Sequence, residues 1–362
     1  MSLIDKYLEY IANVRRYSRR TQEIYAEVLK DFTKFAITEA ASPEQVTDLM
    51  LKESLTPLVI RGYEMNLLDK RGLSPRTVNL HISVLSGLCR FLMKTDILTA
   101  NPAKAVSRPK QEKRLPVFYR KDAMAGYFAE SDIFAGEDIL TSPEEFMERY
   151  TAAKSRPGYR IENDPVYSEM SKLAEKPDRF AAWLFEKRLK RAIVSTLYAT
   201  GIRRSELVSM RRDSIDFDRR IMRVTGKGDK TREIPLVPSL CKEISLYLQA
   251  VEATVCGNRQ WDSPLFVTSR GTDIYPEYVD RAVKSELGGT EGFTARKSPH
   301  VLRHTLATEL LEDGTDLNSI KELLGHSSLA ATQVYTHNSI AKLKKVYETA
   351  HPRAKSGGKH GD

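Results

Sequence analysis

The sequence is poor in cysteine. Its three cysteines, Cys89, Cys241 and Cys256, lie far apart in 362 residues, and none belongs to a CxxC pair. Zinc sites and disulfide-stabilised small domains use cysteines at short, regular spacings, so this pattern argues against both. Scattered cysteines suit a reducing compartment, and we therefore expect the protein in the cytoplasm.

The sequence also lacks a long apolar run. A membrane-spanning helix needs about 20 predominantly apolar residues in succession, and the apolar stretches here are much shorter. The N-terminal segment MSLIDKYLEYIANVRRYSRR has an early acidic residue and periodic apolar positions, which is unlike a secretory signal. With 41% hydrophobic and 29% charged residues, the composition is that of a globular protein, and its length favours two domains.

Acidic residues are outnumbered by basic ones. The chain has 57 lysines and arginines against 48 aspartates and glutamates, which gives a formal net charge of +9. A basic balance favours polyanionic partners, and nucleic acid is the commonest of these. A soluble basic protein without such a partner would have the same charge, so charge alone assigns no function.

The pattern of residues 1–106 predicts an all-helical domain. In RRTQEIYAEVLKDFTKFAI the apolar residues recur at helical spacing. In SPRTVNLHISVLSGLCRFL, Ser74 is the predicted N-cap and Pro75 the first helical residue. A basic linker with little apolar periodicity is predicted at 107–118.

A second domain is predicted over 119–350, followed by a disordered tail at 351–362. The runs IMRVT and TREIPL flank a glycine-containing turn and predict a β-hairpin. Helices are predicted before Gly201, after the hairpin, around HVLRH and up to Gly325. Residues 130–180 are acidic and contain four prolines, so we expect short helices and loops there, with a longer helix resuming at AAWLFEKRLK. The predicted fold is mainly α with a small β-sheet or hairpin.

Four polar residues of this second domain have the chemistry of phosphate binding. On a helix, His300 and Arg303 share one face, where an imidazole and a guanidinium can hold a phosphate together. Arg203 follows a probable tight turn, and Lys227 lies between two glycines at the tip of the hairpin. Taken singly, each is explained as well by an ordinary surface position.

Tyr335 is the residue for which such neighbours would matter. A phenol with a pKa of about 10 is a poor nucleophile at neutral pH, so it needs groups that stabilise a charged transition state. His326 lies nine positions before it, directly after a probable helix-ending glycine. Together the six residues run along the chain in the order Arg203, Lys227, His300, Arg303, His326 and Tyr335.

These residues and their flanks resemble the tyrosine recombinase (phage integrase) family. The strings LYATGIRRSEL, VTGKGDKTREIPL and SPHVLRHTLATELLEDGTDLNSIKELLGHSSLAATQVYTH, within 181–350, are similar to that family's sequence blocks. Residues 1–118, which include NPAKAV, are similar to its core-site DNA-binding domain. The resemblance implies an N-terminal helical, SAM-like core-binding domain and a C-terminal mixed α+β catalytic domain.

The resemblance also implies a mechanism in which Tyr335 attacks a DNA phosphodiester. The products would be a 3′-phosphotyrosyl link and a free 5′-hydroxyl. The link conserves the bond energy for rejoining, so no ATP, cofactor or metal is implied.

The other five residues would stabilise the reacting phosphate. Arg203 and Arg303 would hold the non-bridging oxygens, whose charge grows in the transition state. His300 would assist proton removal from the tyrosine or donate to the phosphate, and His326 would add a hydrogen bond. Lys227 would protonate the departing 5′-oxygen.

Several neighbours of these residues are interpreted as structural. Glu206 would orient the arginine before it or cap a helix. Lys230 is the competing lysine of the hairpin. Tyr347 is the rival tyrosine and is interpreted as a packing residue. His304 and His337 are given no catalytic role.

Two features separate this chain from the larger phage integrases. The core-binding pattern begins almost at once, so we expect no arm-binding domain and a chain of the Xer or DNA-invertase type. Residues 130–180 are longer than the family's usual connection and could be a lid over DNA, a protein-contact surface or an inert insertion. The implied partner is double-stranded DNA, bound by a homo-tetramer, or by a hetero-tetramer with a related recombinase, in the nucleoid.

Two other functions stay open at this point. A type IB topoisomerase-like enzyme would use the same chemistry to relax supercoils without strand exchange. A non-catalytic architectural DNA-binding protein would need none of the six residues in this order. The target site and the biological role, whether integration, excision, inversion or dimer resolution, are not evident from the sequence.

Overall fold

The computed structural model describes residues 2–37, 47–111, 117–136, 141–226, 230–255, 260, 262–288, 293 and 296–325. The chain divides into two compact units, Met1–Leu115 and Pro116–Asp362. Within the described ranges, no helix is both long and apolar enough to cross a lipid bilayer. The exact domain boundaries given above stay predictions.

The described part of the first unit is helical, as predicted. Its α-helices are α1 (Leu3–Glu9), α2 (Arg19–Ile37), α3 (Asp48–Ser54), α4 (Pro57–Met65) and α5 (Pro75–Lys94). Single π-helical turns extend α1 and α4, and a 3-10 turn covers Pro102–Lys104. The Ser74 hydroxyl accepts a hydrogen bond from the Thr77 backbone N–H at the start of α5, so the predicted cap is confirmed.

The core of the first unit lies between the apolar faces of these helices. Phe32 and Tyr63 pack edge to face, with ring centroids 5.2 Å apart. The Tyr63 hydroxyl donates to Asp31 Oδ2 at 2.8 Å, and Arg71 donates to the same oxygen at 2.6 Å. The buried phenol is thereby satisfied without leaving the apolar core.

The second unit contains nine α-helices among its described residues. They are α6 (Lys121–Glu130), α7 (Pro143–Lys154), α8 (Pro165–Leu173), α9 (Pro177–Thr200), α10 (Arg204–Val208), α11 (Pro238–Thr254), α12 (Pro276–Glu286), α13 (Pro299–Glu312) and α14 (Leu317–Leu324). Helix α9 packs against α11, α12 and α13. Its second half is buried on every side, since every residue from Leu189 to Thr200 except Lys190 is buried.

The predicted hairpin is confirmed as part of a three-stranded antiparallel sheet. Its strands are β1 (Ile215–Asp216), β2 (Ile221–Thr225) and β3 (Thr231–Pro235), in that order. Met222 lies opposite Ile234 in the β2–β3 register. The two-residue strand β1 was not predicted, because two residues are too few to show an alternating pattern.

The described residues of 130–180 form short helices and loops, as expected, and they supply most of a small separate core. That core consists of Phe134, Phe146, Tyr150, Met170, Phe180 and Leu184. The long helix α9 begins at Pro177, four residues before the predicted resumption at Ala181, since proline is favoured in the first helical turn. We call residues 130–180 the insert; it is an ordered part of the second unit in its described residues.

Candidate active site

The first predicted phosphate ligand, Arg203, lies in a tight turn between two helices. Helix α9 ends at Gly201, whose φ of +61° belongs to the left-handed region that a residue without Cβ adopts readily. Two residues later, Arg203 is the N-cap of α10 and is half-buried. The turn therefore holds an arginine at a helix start, where its side chain is partly accessible.

Glu206 fixes the orientation of this arginine. Its Oε2 accepts the Arg203 backbone N–H at 2.8 Å, and its Oε1 accepts Arg203 Nη1 at 2.7 Å. Glu206 thus both caps α10 and orients Arg203. These are the two structural roles that the sequence analysis considered for it. Only 5% of the Glu206 surface is exposed, so its carboxylate is largely shielded from water while the Arg203 side chain stays partly accessible.

Helix α13 carries His300 and Arg303 near its N-terminal end. Arg303 is buried and donates from Nη1 to the Gly201 carbonyl at 2.5 Å and from Nη2 to the Leu324 carbonyl at 2.6 Å. His300 lies one turn earlier on the same helix and is exposed. The arginine is therefore held by backbone oxygens while the imidazole faces outward.

Three arginines converge on the end of α14. The last residues of a helix leave carbonyl oxygens without an intrahelical partner, and cations stabilise that end. The carbonyl of Leu323 accepts Arg232 Nε at 3.1 Å, that of Leu324 accepts Arg303, and that of Gly325 accepts Arg203 Nη2 at 2.8 Å. Three consecutive carbonyls are each bound by a different arginine, and Gly325 directly precedes His326 in the sequence.

Arg232 was not recognised from sequence. It lies on β3, and its Nη1 and Nη2 donate to the two carboxylate oxygens of Glu206 at 3.1 and 3.0 Å. One sequence signal was present: in TREIP, alternation puts Arg232 on the same face as Ile234, which is buried. An arginine at an inward strand position needs a buried partner, and Glu206 is that partner.

The local charges shift the pKa values of this cluster. Burial and the nearby positive charge of Arg203 lower the pKa of Arg303 to about 10, which leaves it charged at neutral pH. Burial opposes ionisation of Glu206, but the hydrogen bonds from Arg232 and Arg203 outweigh it and hold the pKa of that carboxyl below its usual value.

The pKa of His300 is also lowered. Partial burial of the ring is the main cause, and the positive charges of Arg204 and Arg303 add to it. The neutral imidazole is therefore favoured at neutral pH, and a neutral imidazole can accept a proton.

The structure brings Arg203 and Arg303 to the same helix end, with His300 on the helix that carries Arg303. Lys227, His326 and Tyr335 lie outside the described residues, as do His337, Tyr347 and the predicted tail at 351–362. Their predicted roles stay predictions. Among the described residues, no group of three or more His, Cys, Asp or Glu side chains could hold a metal ion.

Comparison with known proteins assigns both halves of the chain to one family. The sequence model of the phage integrase family matches residues 169–342, and that of the phage integrase N-terminal SAM-like domain matches residues 4–96. A tyrosine recombinase XerC of Bacillus pumilus is 30% identical over 355 residues, covering 97% of each chain. A tyrosine recombinase XerC of Bacillus licheniformis is 31% identical over 353 residues, covering 97% of this chain and 96% of that one.

Solved structures agree on the fold. The integrase of the transposon Tn1549, in complex with transposon right end DNA, aligns with a TM-score of 0.56 at 16% identity over 96% of this chain and 99% of that one. The XerH site-specific recombinase bound to a palindromic difH substrate aligns with a TM-score of 0.54 at 17% identity, over 98% of this chain and 83% of that one.

The fold and the sequence matches together define an enzyme that breaks and rejoins DNA strands, and the chain belongs to the phage integrase family. Within it the chain is an Xer-like, tyrosine-type site-specific recombinase.

Proposed function

We propose that this recombinase cleaves double-stranded DNA with the Tyr335 phenol as nucleophile. Attack on a phosphodiester would form a 3′-phosphotyrosyl link and release a 5′-hydroxyl. Attack by a 5′-hydroxyl from a second duplex would then reverse the first step and complete the exchange. Both steps are transesterifications, so they balance without ATP, water or an oxidant.

The transition state of each step carries additional negative charge on the non-bridging oxygens. Arg203 and Arg303 supply the guanidinium groups that bind these oxygens. Neutral His300 takes up the tyrosine proton or hydrogen-bonds the phosphate, and His326 adds a further hydrogen bond. Lys227 donates a proton to the departing 5′-oxygen.

One observation carries this proposal more than any other. Arg203 and Arg303 lie 100 positions apart in the sequence, yet both bind the carbonyls that immediately precede His326. Their hydrogen bonds to described residues use one N–H on each terminal nitrogen, and a guanidinium carries five N–H groups. Each guanidinium thus carries N–H donors that no described residue binds, and in this proposal those donors bind the phosphate.

The partner in this proposal is a pair of DNA duplexes held by four protomers. The tetramer would be homomeric or shared with a related recombinase, and it would act in the cytoplasm on the nucleoid. The net charge of +9 supports a polyanionic partner. Sedimentation of the protein with a synthetic four-way junction tests the assembly; four protomers per junction are expected, and a single protomer would contradict it.

The chemistry is tested with nicked duplexes that trap the covalent intermediate. A nick beside the cleaved bond lets the short strand carrying the 5′-hydroxyl diffuse away, so rejoining stops. A library of nicked duplexes with randomised arms is incubated with the protein in EDTA, and covalent adducts are isolated under denaturing conditions and sequenced. The same experiment thereby identifies the DNA site.

Tyr335→Phe is the diagnostic variant, and Tyr347→Phe is its matched control. We expect the wild type and Tyr347→Phe to form adducts in EDTA and Tyr335→Phe to form none. An adduct that persists in Tyr335→Phe and disappears in Tyr347→Phe would move the nucleophile to Tyr347. Tight DNA binding with no adduct from any of the three proteins would contradict the proposed chemistry.

A further inference from the structure

Arg232 connects three parts of the catalytic unit that are distant in sequence. From β3 it reaches Glu206 at the start of α10 and the Leu323 carbonyl at the end of α14. Its side chain is 7% exposed, so these bonds form where water competes little. One guanidinium thus connects the hairpin, the turn that carries Arg203 and the end of α14.

The guanidinium also packs closely against Gly325. A Cβ added to this glycine would lie 3.0 Å from Arg232 Nη1 and 3.1 Å from both Cζ and Nε. Gly325 has a φ of +66°, so both its conformation and its lack of a side chain suit this contact. Arg232 therefore packs directly against Gly325, the residue that precedes His326.

We propose that Arg232 is a positioning residue of the active site, which holds Glu206 against Arg203 and fixes the end of α14 before His326. This inference rests on the proposed function, because it assigns a purpose to the geometry of Arg203. Arg232 itself would not touch the DNA. It would act by keeping two groups that bind the phosphate in place.

The geometry explains why the residue should be arginine. The two terminal nitrogens bind the two oxygens of Glu206 side by side, while Nε, which points in another direction, binds Leu323. A lysine has one ammonium on a flexible stem and cannot reproduce this planar fork. Without the fork, Arg203 would be the remaining cationic partner of the Glu206 carboxylate among the described residues. The carboxylate would then pull the Arg203 guanidinium away from the phosphate.

A buried arginine could instead serve stability alone, and Arg191 provides the comparison. Arg191 is 2% exposed, lies 3.0 Å from Glu243 Oε1 through Nε, and donates to the Phe128 carbonyl at 3.1 Å. It also binds Asp132 Oδ1 at 3.2 Å and the Ser131 hydroxyl, so like Arg232 it is a buried arginine held by carboxylate and backbone carbonyl oxygens. None of its described partners belongs to the arginine cluster at the end of α14.

The test compares Arg232→Met, Arg232→Lys and Arg191→Met in the full-length protein. Each is measured for thermal stability, DNA affinity and single-turnover rate of covalent adduct formation, on the nicked duplex selected by the wild type. Both methionine variants are expected to lose stability. DNA affinity should stay near that of the wild type in both methionine variants. Adduct formation should fall by about 100-fold in Arg232→Met, as expected for a misplaced catalytic group, and stay near the wild-type rate in Arg191→Met.

Arg232→Lys keeps the positive charge, so it provides the test if Arg232→Met does not fold. A positioning role predicts that lysine folds yet cleaves at least about tenfold more slowly, because the fork is missing. A second readout uses a methylphosphonate at the cleaved position, which removes one negative oxygen and so reduces the need for a guanidinium. The rate deficit of both Arg232 variants should shrink on this substrate, as should that of Arg203→Ala.

Three results would overturn the inference. They are adduct formation at the wild-type rate by folded Arg232→Lys or Arg232→Met, a rate loss equal to that of Arg191→Met, and a deficit that is the same on phosphodiester and methylphosphonate. Failure of the wild type to form any adduct would instead reject the proposed function. The two failures are therefore distinguishable.

Discussion

At the scale of single residues, the turn between α9 and α10, which carries Arg203, depends on one glycine. Gly201 ends α9 with a positive φ, and its carbonyl accepts a hydrogen bond from Arg303. A Cβ at this position would lie 2.6 Å from Leu324 Cδ2 and 3.0 Å from Leu306 Cδ2, and both leucines are buried. The glycine thus permits close approach of α9, α13 and α14 where Arg203 and Arg303 meet.

Gly201→Ala should destabilise the catalytic unit more than alanine at another left-handed glycine. Gly314 has a φ of +84°, and apart from its chain neighbours no described residue has an atom within 4 Å of an added Cβ. Gly314→Ala therefore carries the conformational cost of about 1 kcal/mol without a clash from those residues. At Gly201, overpacking should add about 1–3 kcal/mol. Urea unfolding of both variants measures the difference, and equal destabilisation would show that the leucines move aside freely.

At the scale of elements, a buried carboxyl joins α13 to α9. The Tyr198 hydroxyl donates to Glu309 Oε2 at 2.7 Å, and no described residue donates a hydrogen bond to Glu309 Oε1. Burial raises the pKa of Glu309 to about 7, well above its ordinary value of 4.5. The two helices that lead to Arg203 and carry Arg303 are therefore coupled through a group that titrates near neutral pH.

This coupling predicts a pH-dependent stability. The folded state holds the Glu309 proton more tightly than the unfolded state, so the contribution is full below about pH 4.5 and is lost as pH rises through about 7. Glu309→Gln imitates the protonated form and should gain roughly 1–3 kcal/mol relative to the wild type between pH 5 and pH 8. Exposed Glu312→Gln on the same helix is the control. If the free energies of unfolding of Glu309→Gln and the wild type differed by the same amount at every pH, Glu309 would stay ionised in the folded protein.

The insert is an element with its own core. Phe146 packs with Phe134 and Phe180 in that core, while Phe266 belongs to the main core of the same unit. One helix of the insert also has a buried cap, since Asp164 caps α8 and accepts a hydrogen bond from the Tyr150 hydroxyl at 2.8 Å. Such a segment can lose stability without the rest of the unit unfolding.

Phe146→Ala and Phe266→Ala should therefore have different consequences. Each removes a fully buried phenylalanine, a change that costs about 3–5 kcal/mol. We expect Phe146→Ala to expose residues 141–176 to limited proteolysis while adduct formation continues at the wild-type rate. Phe266→Ala should lower the unfolding temperature of the whole unit. Loss of adduct formation in Phe146→Ala would instead give the insert a part in the reaction.

At the scale of the whole molecule, the described residues form separate cores in the two units. One core includes Phe32 and Tyr63, and the large core of the second unit includes Tyr198 and Phe266. Each core belongs to one of the compact units, Met1–Leu115 and Pro116–Asp362. Two such cores can unfold independently.

Calorimetry should then show two transitions in the full chain. A fragment of residues 1–115 should unfold cooperatively by itself. Phe32→Ala should lower the midpoint of one transition, by about 4–8 °C for each kcal/mol lost in a unit of this size, and leave the other unchanged. One transition that shifts as a whole would contradict independent units.

The sequence by itself determined the helices, the hairpin and the order of the six predicted site residues. Helical periodicity and strand alternation act between residues only a few positions apart, so the Ser74 cap and the β2–β3 hairpin could be predicted locally. The motif strings also carried the family resemblance. Lys227, His326 and Tyr335, which stay predictions, rest on those strings.

Only the tertiary structure decided how the arginines are used. Arg203, Arg232 and Arg303 are separated by 29 and 71 positions, yet they bind three successive carbonyls at the end of α14. No local pattern encodes such a meeting, because it depends on how α9, α13 and β3 pack around that helix end. The alternating pattern of β3 predicts that Arg232 points inward. Its partner Glu206 comes within reach only when the hairpin folds against the turn that carries Arg203.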